Sequence, residues 1–299
     1  MHFEVAKKNY IEGGINMSVN DELGIRMKEN YENIPKTKLM RRTPVAIRID
    51  GKAFHTFTRG FKRPFDEVLI KTMQQTTQYL CQNIQGCVLG YTQSDEITLI
   101  LIDYQTLTTE AWFDYQVEKL CSIAASMATM AFNKFFYENV FQYNGMASMD
   151  MSNKEYPYKE IYAKAIEKGA MFDARCFNIP KEEVTNLIYW RQLDASRNSV
   201  QMVGQAYFSQ KELKNKSCND IQDMLMTQKG INWNDFPTYQ KRGSCCVKNK
   251  IAIESNGVTV DAYLRDTSKS KNKWIIDTNI PIFKGEGREY IDKLVYVGD

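Results

Sequence analysis

The chain has 299 residues, of which 43% are hydrophobic and 25% are charged, a profile typical of a globular protein and not of a disordered or fibrous one. No apolar stretch approaches the roughly 20 residues that span a bilayer, and residues 1–20 lack the apolar core of a signal peptide, so neither a membrane segment nor secretion is expected. The net charge is only +3, so a nucleic-acid partner requires that the basic residues be clustered.

Hydrophobic spacing predicts a polar helical arm over residues 18–33 and then a regular series of elements. A strand over residues 45–50 is followed by a helix over 66–84, a hairpin of strands over 87–91 and 97–102, a long helix over 113–135, and a strand over 173–179. Residues 141–170 are predicted to be irregular. The order strand, helix, strand, strand, helix, strand is that of the ferredoxin-like fold, which places the first and third strands side by side.

The remainder of the chain is predicted to continue with helices and then strands. Helices are expected over residues 181–210 and 217–229, the second opening with a capping box of Ser217 and Asp220, and strands over 244–247, 251–253, 258–263 and 274–276. The fold class is therefore α+β, a ferredoxin-like βαββαβ domain with additional helices and C-terminal β-hairpins. We divide the chain into a dispensable extension (1–16), a catalytic domain (17–180) and a continuation packed on it (181–299).

Two aspartates fall where the predicted central strands end. Asp50 closes the first strand, and Asp95 lies in the turn before the third. Because these strands are neighbours, we expect the two carboxylates to converge at one point of the sheet edge. Unpaired carboxylates held close repel each other, and Mg²⁺ with its preference for oxygen ligands offsets that repulsion. Two such ions stabilise both the attacking and the leaving oxygen of a phosphoryl displacement. The alternative interpretation is that each aspartate is an ordinary turn residue.

The residues around Asp50 suit a nucleotide site, although each also has an ordinary interpretation. Gly51 lets the backbone approach a triphosphate closely. Positive charge follows within twelve residues, which a triphosphate needs but a solvated loop also carries: Lys52, Arg59, Lys62 and Arg63. His55 is either a ring that stacks on a base or a surface histidine without a role. Glu96 is a weaker candidate, since it points to the opposite face from Asp95.

Other residue types exclude or weaken further classes of site. His2 and His55 are the only histidines, so a zinc site built on several histidines is excluded. Seven scattered cysteines without a C-x-x-C pair favour reduced thiols in the cytoplasm over a disulfide framework. Arg191 and Asp194 are i,i+3 neighbours, and we interpret them as a surface ion pair on a helix.

Several motifs in order resemble those of the tRNA(His) guanylyltransferase family. They are Arg48-Ile-Asp-Gly51 with Phe54-His55, then Gly90-Tyr-Thr-Gln-Ser-Asp-Glu96, then Trp190-Arg-Gln192, and finally Tyr239, Lys241 and Gly243. The resemblance runs over about residues 20–247. It implies a palm-like catalytic domain, similar to that of polymerases but working in the 3′-to-5′ direction. It also implies tRNA and nucleoside triphosphates as partners, a homo-oligomer (a tetramer) and a cytoplasmic location.

The resemblance also implies a set of site residues. Asp50, Asp95 and the backbone carbonyl of Gly51 would bind two Mg²⁺ ions, with ATP and GTP as substrates. The nucleotide-binding residues would be Asp50, Gly51, Lys52, Ala53, Phe54, His55, Arg63, Asp66, Ser94, Asp95 and Lys119, with Glu96 and Asn198 as accessory residues.

This chain departs from the eukaryotic members of the family at two places. Ser196 stands where they have a histidine, and Asp114, Tyr115 and Gln116 replace arginines that precede Lys119. The chain is closer to the guanylyltransferase-like branch, which repairs truncated tRNA 5′ ends against a template. The sequence leaves open whether the activity is tRNA(His) guanylylation or repair. Two rival functions are a palm-domain nucleotide cyclase and a non-catalytic RNA-binding protein.

Overall fold

The structure is a computed structural model that describes residues 22–149, 158–250 and 272–298. The predicted extension over 1–16 and the predicted strands over 251–253 and 258–263 lie outside the described residues. The chain divides into two units, residues 1–37 and 38–299. In the first unit, α1 (Glu22–Met27) runs into a π-helical turn (Lys28–Glu32), so the predicted helical arm is confirmed over these residues.

The second unit is built on an antiparallel sheet. Its first part contains, in chain order, β1 (Val45–Gly51), α2 (Phe54–Phe57), α3 (Glu67–Asn83), β2 (Cys87–Gln93), β3 (Glu96–Leu101), α4 (Val117–Met149), α5 (Tyr158–Lys168) and β4 (Phe172–Asn178). The strand order β4-β1-β3-β2 places β1 and β3 together at the centre. The predicted ferredoxin-like arrangement is therefore confirmed.

The C-terminal part adds helices and extends the same sheet. It contains α6 (Lys181–Tyr207), α7 (Gln210–Leu213), α8 (Cys218–Lys229), α9 (Thr238–Arg242), β5 (Ser244–Lys250), β6 (Asn272–Asp277) and α10 (Glu289–Val295). β5 pairs with β2, and β6 pairs with β5. The capping box of Ser217 and Asp220 at the start of α8 is confirmed, whereas α10 was not predicted.

Alternation along the strands buries side chains on both faces of the sheet. Odd-numbered residues of β1 pack under α3 and α4, in a core that includes Val45, Ile47, Ile49, Met73, Leu80, Phe132 and Phe136. The opposite face is covered by α6 and α10, with a second core that includes Ala46, Tyr91, Ile100, Ile188 and Ile291. Asp50 follows Ala46 by four residues and therefore lies on the α6 side.

Two expectations for the region around α4 are wrong. Residues 141–170 are not irregular in their described part, because α4 continues to Met149 and α5 buries Tyr162 and Ala165. The long helix does not begin at Phe113, because residues 113–115 have φ angles of 49°, 50° and 53° and form a left-handed turn. Phe113 is consequently 42% exposed.

Candidate active site

Asp50 and Asp95 lie at adjacent points of the central sheet. In the pairing of β1 with β3, Asp50 stands opposite Glu96, the residue that follows Asp95. One residue further along β1, the Gly51 N–H donates to the carbonyl oxygen of Asp95 at 3.2 Å. Both aspartates line a single open cavity of about 670 Å³, a volume within the range of small-molecule sites. The structure thus brings together the two carboxylates that the sequence singled out.

The electrostatics of these two carboxylates disfavour their charged forms. Burial raises the pKa of Asp95 to about 6, and the charges of Asp50 and Glu96 contribute to the rise, against a hydrogen bond from the Ser94 hydroxyl at 2.9 Å. Burial also raises the pKa of Asp50, as do Glu96 and Asp173. Arg175 and Arg48 oppose the rise in the pKa of Asp50, but each is paired with another carboxylate, Arg175 with Asp173 at 3.2 Å and Arg48 with Glu96 at 3.3 Å. A cation between the two aspartates would offset this cost.

The loop after β1 forms one wall of the cavity. Gly51 lacks a side chain for a packing reason, because a Cβ there would lie 2.2 Å from the Phe54 ring. Ala53 has a φ of 53°, a left-handed conformation that only a well-packed loop maintains in a non-glycine residue. The loop residues that line the cavity include Ala53, Phe54, His55, Arg59, Lys62 and Arg63. His55 and Arg63 are exposed, so both side chains are accessible to a ligand.

Asp66 lines the cavity and also holds this loop in place. Its carboxylate accepts hydrogen bonds from the Lys62 and Leu69 N–H groups, both at 3.0 Å, and from the Tyr162 hydroxyl at 2.8 Å. It is the N-cap of α3 and is only 5% exposed. Its hydrogen bonds therefore give it a clear structural role, whatever it contributes to ligand binding.

The structure does not bring every candidate to the cavity. Lys119 is exposed, with its ammonium 5.5 Å from the centre of the Phe113 ring, and it is not a lining residue. Lys52 is also exposed and outside the lining, although its N–H donates to the Met171 carbonyl at 2.9 Å. Asn198 lines a smaller adjoining cavity of about 80 Å³, which shares Asp66 and Ser94 with the larger one. The roles of these three residues stay predictions.

Glu96 belongs to a partly buried ion-pair network and is not a lining residue of the cavity. It accepts from Arg48 and, at 3.0 Å, from Arg191, whose guanidinium also contacts Asp194 at 2.5 Å. The side chain of Arg191 is only 5% exposed. The i,i+3 pair of Arg191 and Asp194 therefore exists as predicted, but it is not on the surface. Trp190 lies against the same network, with its ring centre 4.4 Å from the Cζ atom of Arg191.

Helix α6 contributes cavity residues that sequence reasoning missed. Met202 and Gln205 of α6 line the cavity. Thr58, in the loop after β1, is a further lining residue that was not predicted. Their residue types indicate no particular chemistry. The helical spacing of α6 indicated which side is buried but not which loop that side faces. No signal in a single sequence identified these residues.

The side chains alone do not form a complete metal site. Over residues 22–149, 158–250 and 272–298, no three or more His, Cys, Asp or Glu side chains are grouped so that they could hold a metal ion. The expected ligands are two carboxylates and the backbone carbonyl of Gly51, so the third donor would come from the main chain. No helix in the part of the chain that the structure describes is long and apolar enough to cross a membrane.

Comparison with known proteins identifies the family. A family model described as Thg1, tRNAHis guanylyltransferase, matches residues 25–180, just over half of the chain. The chain belongs to the tRNAHis guanylyltransferase family. It is accordingly a nucleotidyltransferase of this type, and the resemblance drawn from the motifs is confirmed.

Solved and curated relatives extend the match beyond the family model. The chain is 40% identical to a bacterial tRNA(His) guanylyltransferase (Thg1)-like protein solved in complex with ATP, with a TM-score of 0.72 over 92% of this chain and 100% of that one. A complex of such a bacterial protein with GTP gives 37% identity and a TM-score of 0.70, over 93% and 100%. The tRNA(His) guanylyltransferase of Saccharomyces cerevisiae is 27% identical over 71% of this chain and 85% of its own length.

Proposed function

We propose that this enzyme adds nucleotides to the 5′ end of tRNA in the 3′-to-5′ direction, with ATP and GTP as substrates and two Mg²⁺ ions as cofactors. The observation that carries the proposal is the single cavity in which Asp50 and Asp95 lie together with the exposed cationic loop after β1. The complexes of the bacterial relatives with ATP and with GTP support nucleotide binding by this family fold.

The residues at the cavity fit Mg²⁺. The donors are hard oxygens, the ligands that this ion prefers. Burial raises the pKa of both aspartates, and neighbouring carboxylates add to the rise: Glu96 and Asp173 at Asp50, and Asp50 and Glu96 at Asp95. Asp50, Asp95 and the Gly51 carbonyl would hold the metal. When bound, Mg²⁺ lowers the pKa of an attacking hydroxyl and offsets the charge of a triphosphate.

The chain's own residues then bind and orient two substrates in turn. In the first step an oxygen of the tRNA 5′-monophosphate attacks the α-phosphorus of ATP, and pyrophosphate leaves. In the second step the 3′-hydroxyl of GTP, or of another templated nucleotide, attacks the activated 5′-phosphorus, and AMP leaves. Arg59 and Arg63 supply positive charge to the triphosphate, and the exposed ring of His55 stacks against the base. Neither step needs a protein nucleophile.

Identity with the relatives bears on the choice of RNA substrate. The chain is 40% identical to the bacterial Thg1-like protein but 27% identical to the yeast enzyme. Ser196 replaces the histidine of the eukaryotic motif, and its hydroxyl donates to the Gln192 carbonyl within α6 at 3.0 Å. We therefore propose template-dependent repair of truncated tRNA 5′ ends as the principal activity.

The central test replaces one carboxylate of the cavity. Asp50→Ala should lower the rate of nucleotide addition to a 5′-labelled tRNA by about 10³-fold or more, since losing a metal ligand removes several kcal/mol of stabilisation. Asp223→Ala is the matched control, because Asp223 is an exposed aspartate of α8 that does not line the cavity. Activity of Asp50→Ala within about tenfold of wild type would remove Asp50 from the mechanism.

The substrate is tested with two RNAs. Wild-type enzyme should add the missing nucleotide to a tRNA that lacks its first residue, and the added base should follow the opposite base of the acceptor stem. Addition only to intact tRNA(His), irrespective of the opposite base, would contradict repair and leave guanylylation as the activity.

A further inference from the structure

A second open groove adjoins the catalytic cavity on the side of α6. Its volume is about 1030 Å³, and it lies between the C-terminal half of α6 and the segment 208–214 that contains α7. We call it the basic groove. Its lining residues include Arg63, Gln201, Gln205, Ser209, Lys211 and Lys214.

The charge of the basic groove has one sign. Arg63, Lys211 and Lys214 contribute three cations, and no acidic residue is among its lining residues. Within the described ranges, none of the three cations forms an ion pair. Glu212 is not a lining residue, and its carboxylate is held in a capping box, where it accepts from the N–H of Ser209 at 2.8 Å and from its hydroxyl at 2.6 Å. Among the described residues, the three lining cations therefore have no carboxylate partner of their own.

The wall of the groove is anchored on a hydrophobic cluster. Phe208 is 7% exposed and packs with Val203 of α6 and with Ile221 and Leu225 of α8. The capping box at Ser209 fixes the start of α7 directly after this anchor. Lys211 and Lys214 thus stand on a segment whose position is set by packing on one side and hydrogen bonds at its start.

The basic groove is continuous with the catalytic cavity. Arg63 and Gln205 line both. A nucleoside triphosphate needs the catalytic cavity alone, whereas a polymer whose 5′ end reacts there must leave along an adjoining surface. Lysine, arginine and glutamine side chains are usual donors to phosphate oxygens in protein–nucleic acid contacts, and they position the nucleic acid without reading its sequence.

We propose that the basic groove binds the phosphate backbone of the tRNA strand next to the reacting 5′ end. This inference rests on the proposed function, and it adds the path by which the RNA leaves the catalytic cavity. Because the contacts are to phosphates, the groove positions any tRNA in the same way and contributes no base specificity.

The test removes two cations from the groove without changing the catalytic cavity. In the double variant Lys211→Ala, Lys214→Ala, both removed side chains are exposed. We expect its tRNA affinity to fall about tenfold, and the slope of log affinity against log salt concentration to become less steep by roughly 1.5, since each lost phosphate contact contributes about 0.7–0.9. Binding of GTP with Mg²⁺ should not change, because neither lysine lines the catalytic cavity.

The matched control is the double variant Lys134→Ala, Lys284→Ala. It makes the same change in net charge at exposed lysines that line neither the cavity nor the groove. If the groove variant and the control variant show the same tRNA affinity and salt slope, the groove proposal is wrong, while nucleotide addition by wild type would still support the proposed function. If wild type itself binds no tRNA, the proposed function fails, and the groove proposal fails with it.

Discussion

Two consecutive carboxylates, Asp95 and Glu96, have opposite electrostatic surroundings. Glu96 is held by two guanidinium groups, those of Arg48 and Arg191. Asp95 receives one hydroxyl hydrogen bond from Ser94 and faces Asp50, and its pKa rises to about 6. The chain therefore supplies cations to one carboxylate and not to the next.

The difference separates a structural charge from a functional one. A partly buried carboxylate with two arginine partners connects β3 to α6, but it has little capacity left for a ligand. A pair of carboxylates that repel each other destabilises the protein and at the same time creates affinity for an external cation. Three predictions test this contrast between a paired cluster, Arg48, Glu96, Arg191 and Asp194, and an unpaired one, Asp50 and Asp95.

The largest expected effect on stability comes from the centre of the paired cluster. Arg191→Ala leaves Glu96 and Asp194 without their shared, buried partner, and we expect the free energy of unfolding to fall by about 3 kcal/mol, the lower end for a broken buried pair because other partners remain. Urea denaturation of the metal-free protein measures this change. Arg191→Lys retains the charge but not the planar guanidinium, so its loss should be smaller. A loss below about 1 kcal/mol for Arg191→Ala would make the pair no stronger than an exposed one.

The second prediction concerns the unpaired cluster, where removing a charge should raise the free energy of unfolding instead of lowering it. A carboxyl whose pKa is raised from 3.8 to about 6 holds its proton more tightly in the folded state. Its ionisation therefore destabilises the fold as the pH rises from about 4 to above 6, by up to roughly 3 kcal/mol. Asp95→Asn removes that ionisation. It should stabilise the metal-free protein at about pH 7 and have little effect at about pH 4.

Magnesium should reverse the order of stability of wild type and Asp95→Asn. Mg²⁺ binds the charged carboxylates of wild type, so it should raise the wild-type free energy of unfolding and leave Asp95→Asn nearly unchanged. Urea denaturation of both proteins, with Mg²⁺ and with a chelator and at both pH values, measures these changes. An Asp95→Asn protein that is less stable than wild type at neutral pH without metal would contradict the raised pKa, and equal stabilisation of both proteins by Mg²⁺ would exclude Asp95 as a ligand.

The sequence predicted the strands at this site well, because their signals are local. Alternation in β1 and the apolar runs on either side of the Ser94 turn fixed three central strands, and the ferredoxin-like order placed Asp50 beside the turn that carries Asp95. Burial raises the pKa of both aspartates, and the charge of the adjacent Asp50 adds to the rise at Asp95. This part of the candidate site was therefore predictable from one sequence.

The other wall of the site was not predictable, because it depends on tertiary contacts. The i,i+3 spacing of Arg191 and Asp194 shows that they share a helix face, but not that Glu96 of β3 meets that face. Met202 and Gln205 line the cavity because α6 crosses the loop after β1, which no spacing along α6 reveals. Gly51 was expected to make room for a triphosphate. In the structure, the nearest group that excludes a side chain at this position is the ring of Phe54.

The smallest expected effect comes from the exposed end of the paired cluster. It tests whether the burial of an arginine or its contact with Asp194 determines how much the ion pair stabilises the protein. Arg197 forms an ion pair with Asp194, as Arg191 does, but the side chain of Arg197 is 66% exposed and that of Arg191 only 5%. Water and salt screen the outer pair, so Arg197→Ala should lower the free energy of unfolding by less than about 1 kcal/mol, and the loss should shrink further at high salt. Urea denaturation at two salt concentrations measures it beside Arg191→Ala. Equal losses for the two variants would mean that contact with Asp194, and not burial against Glu96, determines the stability of the cluster.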